Sequence, residues 1–233
     1  MIRKGSTKFF ITCRFFYFDM KEQVQKECDI LLMNYPQLSG CADDIWAAYE
    51  ILKNACRNRN LIMTCGNGGS AADAEHITGE LMKSFKLKRP LTAEQKAALM
   101  DSYPEEGAYF AGHLQRGIRA ISLVSQSSLS SAYINDVAPD MVFAQQVFVY
   151  GSEGDVLVAI TTSGNSTNVV NACKVANTFG IRTIGMIGEH GGKLLEICDV
   201  TIRVPACETF RVQEYHLPVY HALCAMLEAE TFS

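Results

Sequence analysis

His76 and Glu80 stand four residues apart in a segment with helical patterning, so both side chains share one face. A second cluster, Gln213, Glu214, His216 and His221, recurs within nine positions near the end of the chain. Such a pair on a helix is often no more than a polar surface contact, and a lone histidine in an apolar helix is usually a core residue. Here three of the five histidines fall in these two segments, each beside an acid or an amide. That concentration favours a reactive site over scattered surface polarity.

What precedes each cluster says what the site would hold. The run Leu61-Ile-Met-Thr-Cys65 reads as a buried strand, followed by the turn Gly66-Asn67-Gly68-Gly69-Ser70 and the helix carrying His76 and Glu80. Glycines let the backbone approach a ligand, and a helix start offers unpaired N–H groups and a positive dipole end. One unit can thus hold a phosphate and present chemistry to whatever the phosphate is attached to. A second turn, Thr161-Thr162-Ser163-Gly164-Asn165-Ser166-Thr167, has five hydroxyls in seven residues and also follows a strand and opens a helix. Capping needs only one of them, so the surplus points to phosphate. The loop has no lysine and is not a P-loop. Gly66-x-Gly68-x-x-Ala71 fits the dinucleotide fingerprint, but the acid expected about 20 residues on is missing, which argues against a nicotinamide enzyme.

Five short apolar runs, Asn60–Cys65, Ile118–Val124, Asp155–Ile160, Arg182–Ile187 and Val200–Val204, alternate with helical patterns. Those patterns cover Ser70–Ser84, Leu129–Asn135, Met141–Tyr150, Asn165–Phe179, Gly192–Ile197 and a long final stretch from Thr209 to Glu230. Alternation of this kind predicts a three-layer α/β sandwich around a five-stranded parallel sheet. Met20–Tyr35 and Cys41–Arg57 form a helical hairpin ahead of it. The organisation is then an N-terminal extension over 1–19, helices over 20–59, and an α/β domain over 60–233 with an insertion at about 86–117. Residues 1–19 are basic and aromatic, and their broken apolar runs make a poor secretory signal.

The 233 residues are 48% hydrophobic with a net charge of −4, which disfavours a nucleic-acid footprint. No run approaches the ~20 apolar residues of a membrane span. Nine cysteines, an odd count with no Cys-x-x-Cys pair, suit buried free thiols in a reducing, cytoplasmic compartment. The basic run Lys83, Lys86, Lys88 and Arg89 is either a solvated helix end or a rim that attracts an anion.

These motifs resemble those of the sugar isomerase (SIS) domain proteins, with their flavodoxin-like sheet, and most closely the phosphoheptose isomerases. The matching pieces are Cys65-Gly-Asn-Gly-Gly-Ser70, Asp73-Ala-x-His76-x-x-x-Glu80-Leu81, Gly154-Asp155-Val-Leu and Thr162-Ser-Gly-Asn-Ser166. Gly191-Gly-Lys193, Ile202-Arg-Val-Pro205 and Arg211-Val-Gln213-Glu214-x-His216-x-x-x-x-His221 complete them, over roughly residues 20–231. The resemblance implies that Asn67, Gly68, Gly69 and Ser70 contact a sugar phosphate and that Thr161, Thr162, Ser163 and Ser166 bind its phosphate. It makes Glu80 the general base and His221 the general acid/base, and it implies zinc on His76, Glu80, Gln213 and His221. The implied reaction turns D-sedoheptulose 7-phosphate into D-glycero-D-manno-heptose 7-phosphate through an enediol, in a homotetramer with sites at subunit interfaces. Moving a proton between adjacent carbons needs a carboxylate and a second shuttling group, and those types are present. A divalent ion would polarise the carbonyl.

Some features depart from that pattern. Gln126 stands where these isomerases usually have an Asp, and the 86–117 stretch is longer than in the simplest members. Gln213 and His221 are about 12 Å apart along a straight helix at 1.5 Å per residue, too far for one ion. Either Pro218 kinks the helix by freeing the carbonyl of Glu214, or the ligands come from different subunits. Other members of the superfamily isomerise arabinose 5-phosphate, sense sugar phosphates without turnover, or bind a replication initiator.

Overall fold

The computed structural model describes residues 22–233. The extension over 1–19 lies outside the described residues. Helix α1 covers residues 22–34. A 3-10 turn, Pro36–Cys41, leads into α2, Ala42–Arg57. The α/β portion then runs β1 (Ile62–Gly66), α3 (Gly69–Met82), α4 (Ala93–Ser102), α5 (Gly107–His113), β2 (Ala120–Ser122), α6 (Ser127–Asp136), α7 (Val142–Tyr150) and β3 (Val156–Ile160). It ends with α8 (Thr167–Thr178), β4 (Arg182–Ile187), α9 (Leu194–Ile197), β5 (Val200–Arg203) and α10 (Thr209–Phe232).

The five strands form one parallel sheet in the order β2-β1-β3-β4-β5. Both faces are covered, and the strand residues divide between two cores by alternation. Ile62, Val156, Val158, Ile160 and Ile184 join α1, α2, α3 and α10 on one side. Met63, Cys65, Leu157 and Ala159 join α7, α8 and α9 on the other. Strand order reverses between β1 and β3, and ligands of such sheets sit at that crevice, beyond the carboxyl ends of the strands. Both anion-type turns open there.

Differences from expectation are local. β2 is three residues long, not seven, because it is the sheet edge. Its ladder survives one residue further each way, as Ile62 N–H to Arg119 O at 3.0 Å and Leu123 N–H to Thr64 O at 2.9 Å. α10 runs unbroken through Pro218. The 86–117 insertion folds as a hairpin of α4 and α5, closed at its base by Arg116 N–H to Arg89 O at 2.8 Å and started by a Thr92–Gln95 capping box. The basic run divides: Arg89 is buried, and the three lysines are exposed. Lys83 pairs with Glu80 at 3.2 Å, Lys86 pairs with Glu27, and Arg89 is buried against Glu228 at 2.7 Å. All eight cysteines among the described residues are free thiols.

Candidate active site

The two turns meet across the β1/β3 crevice. Asn67 and Asn168 exchange amide hydrogen bonds, each Nδ2–H donating to the other's Oδ1 at 2.9 Å. Gly68, at φ +58°, starts α3 with no side-chain cap. At Gly69 a Cβ would meet the Gln213 amide of α10, which lies against the glycine. Gln213 therefore sits at the opening of α3, beside Ser70, which is buried.

In the second turn Thr161 Oγ1 and Ser166 Oγ are 2.8 Å apart, and Ser166 precedes α8 without capping it. Thr162 lends its carbonyl to Gly188 N–H at 3.1 Å. Ser163 is exposed and its Oγ accepts Asn165 N–H at 3.2 Å. Gly164 packs on the Gly191 carbonyl at φ +65°, a contact only glycine allows. The two turns thus offer hydroxyls and helix-start amides at neighbouring strand ends, donors that suit a phosphate.

α3 and α10 run side by side in one direction, so each step along one meets a step along the other. Two turns beyond Gln213, the His221 ring stands 4.9 Å from the His76 ring, edge to face. His76 Nε2 is 3.3 Å from Glu80 Oε1, and Lys83 Nζ is 3.2 Å from Glu80 Oε2. The Glu80 side chain is 12% exposed and that of His76 is 44% exposed. His76, Glu80 and His221 therefore come together, as two residues of one helix and one of its neighbour.

Two groups complete this cluster that the sequence reading did not assign. Tyr220 OH donates to Asp73 Oδ1 at 3.3 Å and lies 2.9 Å from His76 Nδ1. An ionised Asp73 can only accept, so the phenol donates to it and accepts from His76 Nδ1–H. His76 Nε2, facing Glu80, then carries a proton only in the imidazolium form. Burial raises the Asp73 carboxyl. It also raises the Tyr220 phenol, with Asp73 adding to the effect. The second group is Phe85, whose ring lies 5.6 Å from that of His221. Burial, then the charge of His76, lowers the His221 pKa, and its Nε2 is buried with no partner. His221 also borders a groove of about 260 Å³ between α1 and α10, beside Leu31, Phe85 and Leu217.

Glu80 is held from behind. Arg89 donates to the carbonyls of Leu81 at 2.7 Å and Glu80 at 3.1 Å, ending α3. Its Nε bonds to Glu228 Oε1 at 2.7 Å, and Glu228 also accepts Phe85, Lys86 and Leu87 N–H at 2.7–2.9 Å.

The single chain does not bring the four expected zinc ligands to one point. Gln213 stays with Gly69, about 12 Å along α10 from His221. Among the described residues no three His, Cys, Asp or Glu side chains are placed to hold one ion. Gln126 precedes α6, half-buried, without capping it.

Comparison with known proteins identifies the family. The SIS domain model matches residues 38–108 and 96–188, which defines the class. Phosphoheptose isomerase of Aliarcobacter butzleri is 39% identical over 183 residues, covering 78% of this chain and 83% of that one. The Rhodospirillum rubrum enzyme of the same name is 34% identical over 209 residues, covering 90% and 97%. The structure of phosphoheptose isomerase GmhA from Neisseria gonorrhoeae superposes with a TM-score of 0.64 at 29% identity, over 94% of this chain and 98% of that one. That of Francisella tularensis shares the fold at TM-score 0.68 and 24% identity, over 95% and 98%. The chain belongs to the phosphoheptose isomerase family.

Proposed function

We propose that this protein isomerises D-sedoheptulose 7-phosphate to D-glycero-D-manno-heptose 7-phosphate. The observation that carries the reading is the convergence of His76 and Glu80 of α3, the helix that starts at the first phosphate-type turn, with His221 of α10. Thr161, Thr162, Ser163 and Ser166, with Asn67 to Ser70, take the phosphate end. Glu80 removes a proton from C1 of the ketose, giving the enediol, and after exchange with solvent delivers one to C2. His221, kept neutral at neutral pH by its burial, moves the proton between the two oxygens. His76, anchored through Tyr220 to Asp73, orients Glu80 in its imidazolium form, whose Nε2–H donates to the carboxylate.

A homotetramer with sites completed between copies is part of the proposal. The separation of Gln213 from His221 supports it, and a zinc set including both would need donors from more than one chain. None of the steps above runs through a metal. Buried free thiols suit a reducing cytoplasm, and no described helix is long and apolar enough to cross a membrane.

The test is NMR of sedoheptulose 7-phosphate in D₂O with wild type and Glu80→Gln, each with added zinc and with chelator. Wild type is expected to form the aldose with deuterium at C2. Glu80→Gln is expected to bind substrate but turn it over at least about 10³-fold more slowly. Saturable binding without conversion by wild type would make the chain a sensor instead. Loss of turnover with chelator, restored by zinc, would establish the metal.

A further inference from the structure

The opposite end of the sheet, where β1 and β2 begin, carries a cavity of about 400 Å³. Arg59, Arg116 and Arg119 line it, with Leu91, Gln95 and Phe232. Among the described residues no Asp or Glu lines it, and none of the three arginines makes an ion pair. The chain has 25 acids to 21 Lys and Arg, and elsewhere Arg57, Lys86, Arg89 and Arg182 take carboxylates. Here the guanidiniums bond to backbone instead. Arg119 Nη1 donates to Arg59 O at 2.6 Å, and Arg116 Nε donates to Pro90 O at 2.9 Å. Arg116 also lies 5.1 Å over the Phe232 ring. Arg59 itself has a left-handed backbone, φ +58°, so a tight turn supplies the carbonyl that fixes Arg119.

Three cations lining one cavity repel one another unless an anion joins them. Each guanidinium keeps unused N–H donors in a fork that matches phosphate oxygens. Three forks exceed what one carboxylate can accept, whereas a phosphate monoester offers three terminal oxygens and nearly two charges. The volume falls within the range of small-molecule pockets. Leu91 and Phe232 offer apolar surface to an organic portion.

We propose that this cavity binds a phosphate ester of a small metabolite, distinct from the substrate crevice at the other end of the strands. Leu91, Gln95 and Arg116 come from the 86–117 segment, so that segment supplies one wall of the site. It does not rest on the isomerase reading.

Calorimetric titration of the full chain with pyrophosphate tests it, using Ser163→Ala/Ser166→Ala protein to silence the catalytic crevice. Binding at one equivalent per chain is expected to persist there. Adding Arg116→Gln and Arg119→Gln is expected to weaken it about tenfold or more, with an unchanged circular dichroism spectrum. Arg119→Gln alone, at an exposed position, serves if the pair misfolds, and is expected to weaken binding severalfold. Absence of binding, affinity indifferent to the arginines, or binding lost with the serines alone would each overturn the proposal.

Discussion

Two histidines five positions apart on α10 carry opposite chemistry. His221 opens on the catalytic cluster, while His216 is 0% exposed and neither ring nitrogen has a hydrogen-bond partner. Burial lowers the His216 pKa to about 4; the nearby Ile187 backbone opposes this but falls outside hydrogen-bond geometry. An unfolded chain protonates this histidine near pH 6.5. Between pH 6.5 and 4 the unfolded state therefore holds a proton the folded state refuses. Stability from this group is complete above pH 6.5 and falls as the pH drops toward 4, by up to about 3 kcal/mol. Urea unfolding of wild type and His216→Leu at pH 7 and pH 4.5 checks this. The substitution is expected to shrink the loss on acidification by about 2–3 kcal/mol, and an unchanged loss would show that other groups govern it. At this scale residue types were legible in the sequence, but partnership was not. His76, Glu80 and His221 announced themselves by type and spacing. Tyr220 and Asp73 did not, because their link to His76 exists only where α3 and α10 touch.

Between elements, the Arg89–Glu228 pair joins the end of α3, the start of the insertion and the end of α10. Both side chains are buried, at 0% and 1% exposure. Burial alone would raise the Glu228 carboxyl, but three backbone amides and Arg89 outweigh it and hold it below the usual range. Removing one partner strands a buried charge, which typically costs about 3–5 kcal/mol. Glu228→Gln and Arg89→Met are each expected to destabilise on that scale, and the double variant by clearly less than their sum. Denaturant unfolding of the four proteins measures the coupling, and strict additivity would rule the pair out as a unit. In the sequence Arg89 belongs to a basic run that suits a solvated helix end or an anion-attracting rim, since its partner lies 139 positions away. Elements with a periodic pattern of their own were legible: β4 matches to the residue, and the helices of the sandwich within two or three. β2 was not, because where its ladder ends depends on its neighbours. Nor was the pose of the insertion, whose helix α4 buries none of its own residues.

At the scale of the molecule, the candidate residues occupy two places rather than one. Gly69 and Glu80 are about 16 Å apart along α3, and Gln213 and His221 about 12 Å apart along α10. The phosphate-type turns and Gln213 are at one end, and His76, Glu80 and His221 at the other. Large apolar side chains also stand exposed, among them Val137, Phe148 and Val149 at 66%, 58% and 64%. A closed assembly can bring one copy's turns to another copy's Glu80. Subunit mixing tests this directly. Glu80→Gln removes the proposed base, and Ser163→Ala/Ser166→Ala removes two proposed phosphate hydroxyls, so each assembly alone is expected to be impaired. If a site takes its turn from one copy and its carboxylate from another, random co-assembly restores both intact parts in about a quarter of the sites. Activity at limiting substrate is then expected to rise toward a quarter of wild type after co-refolding, while simple mixing without exchange stays near the sum of the parents. If each site is built from one chain, co-refolding creates no intact site, activity remains at the parental average, and the separation along α3 and α10 has to be spanned by the sugar phosphate itself.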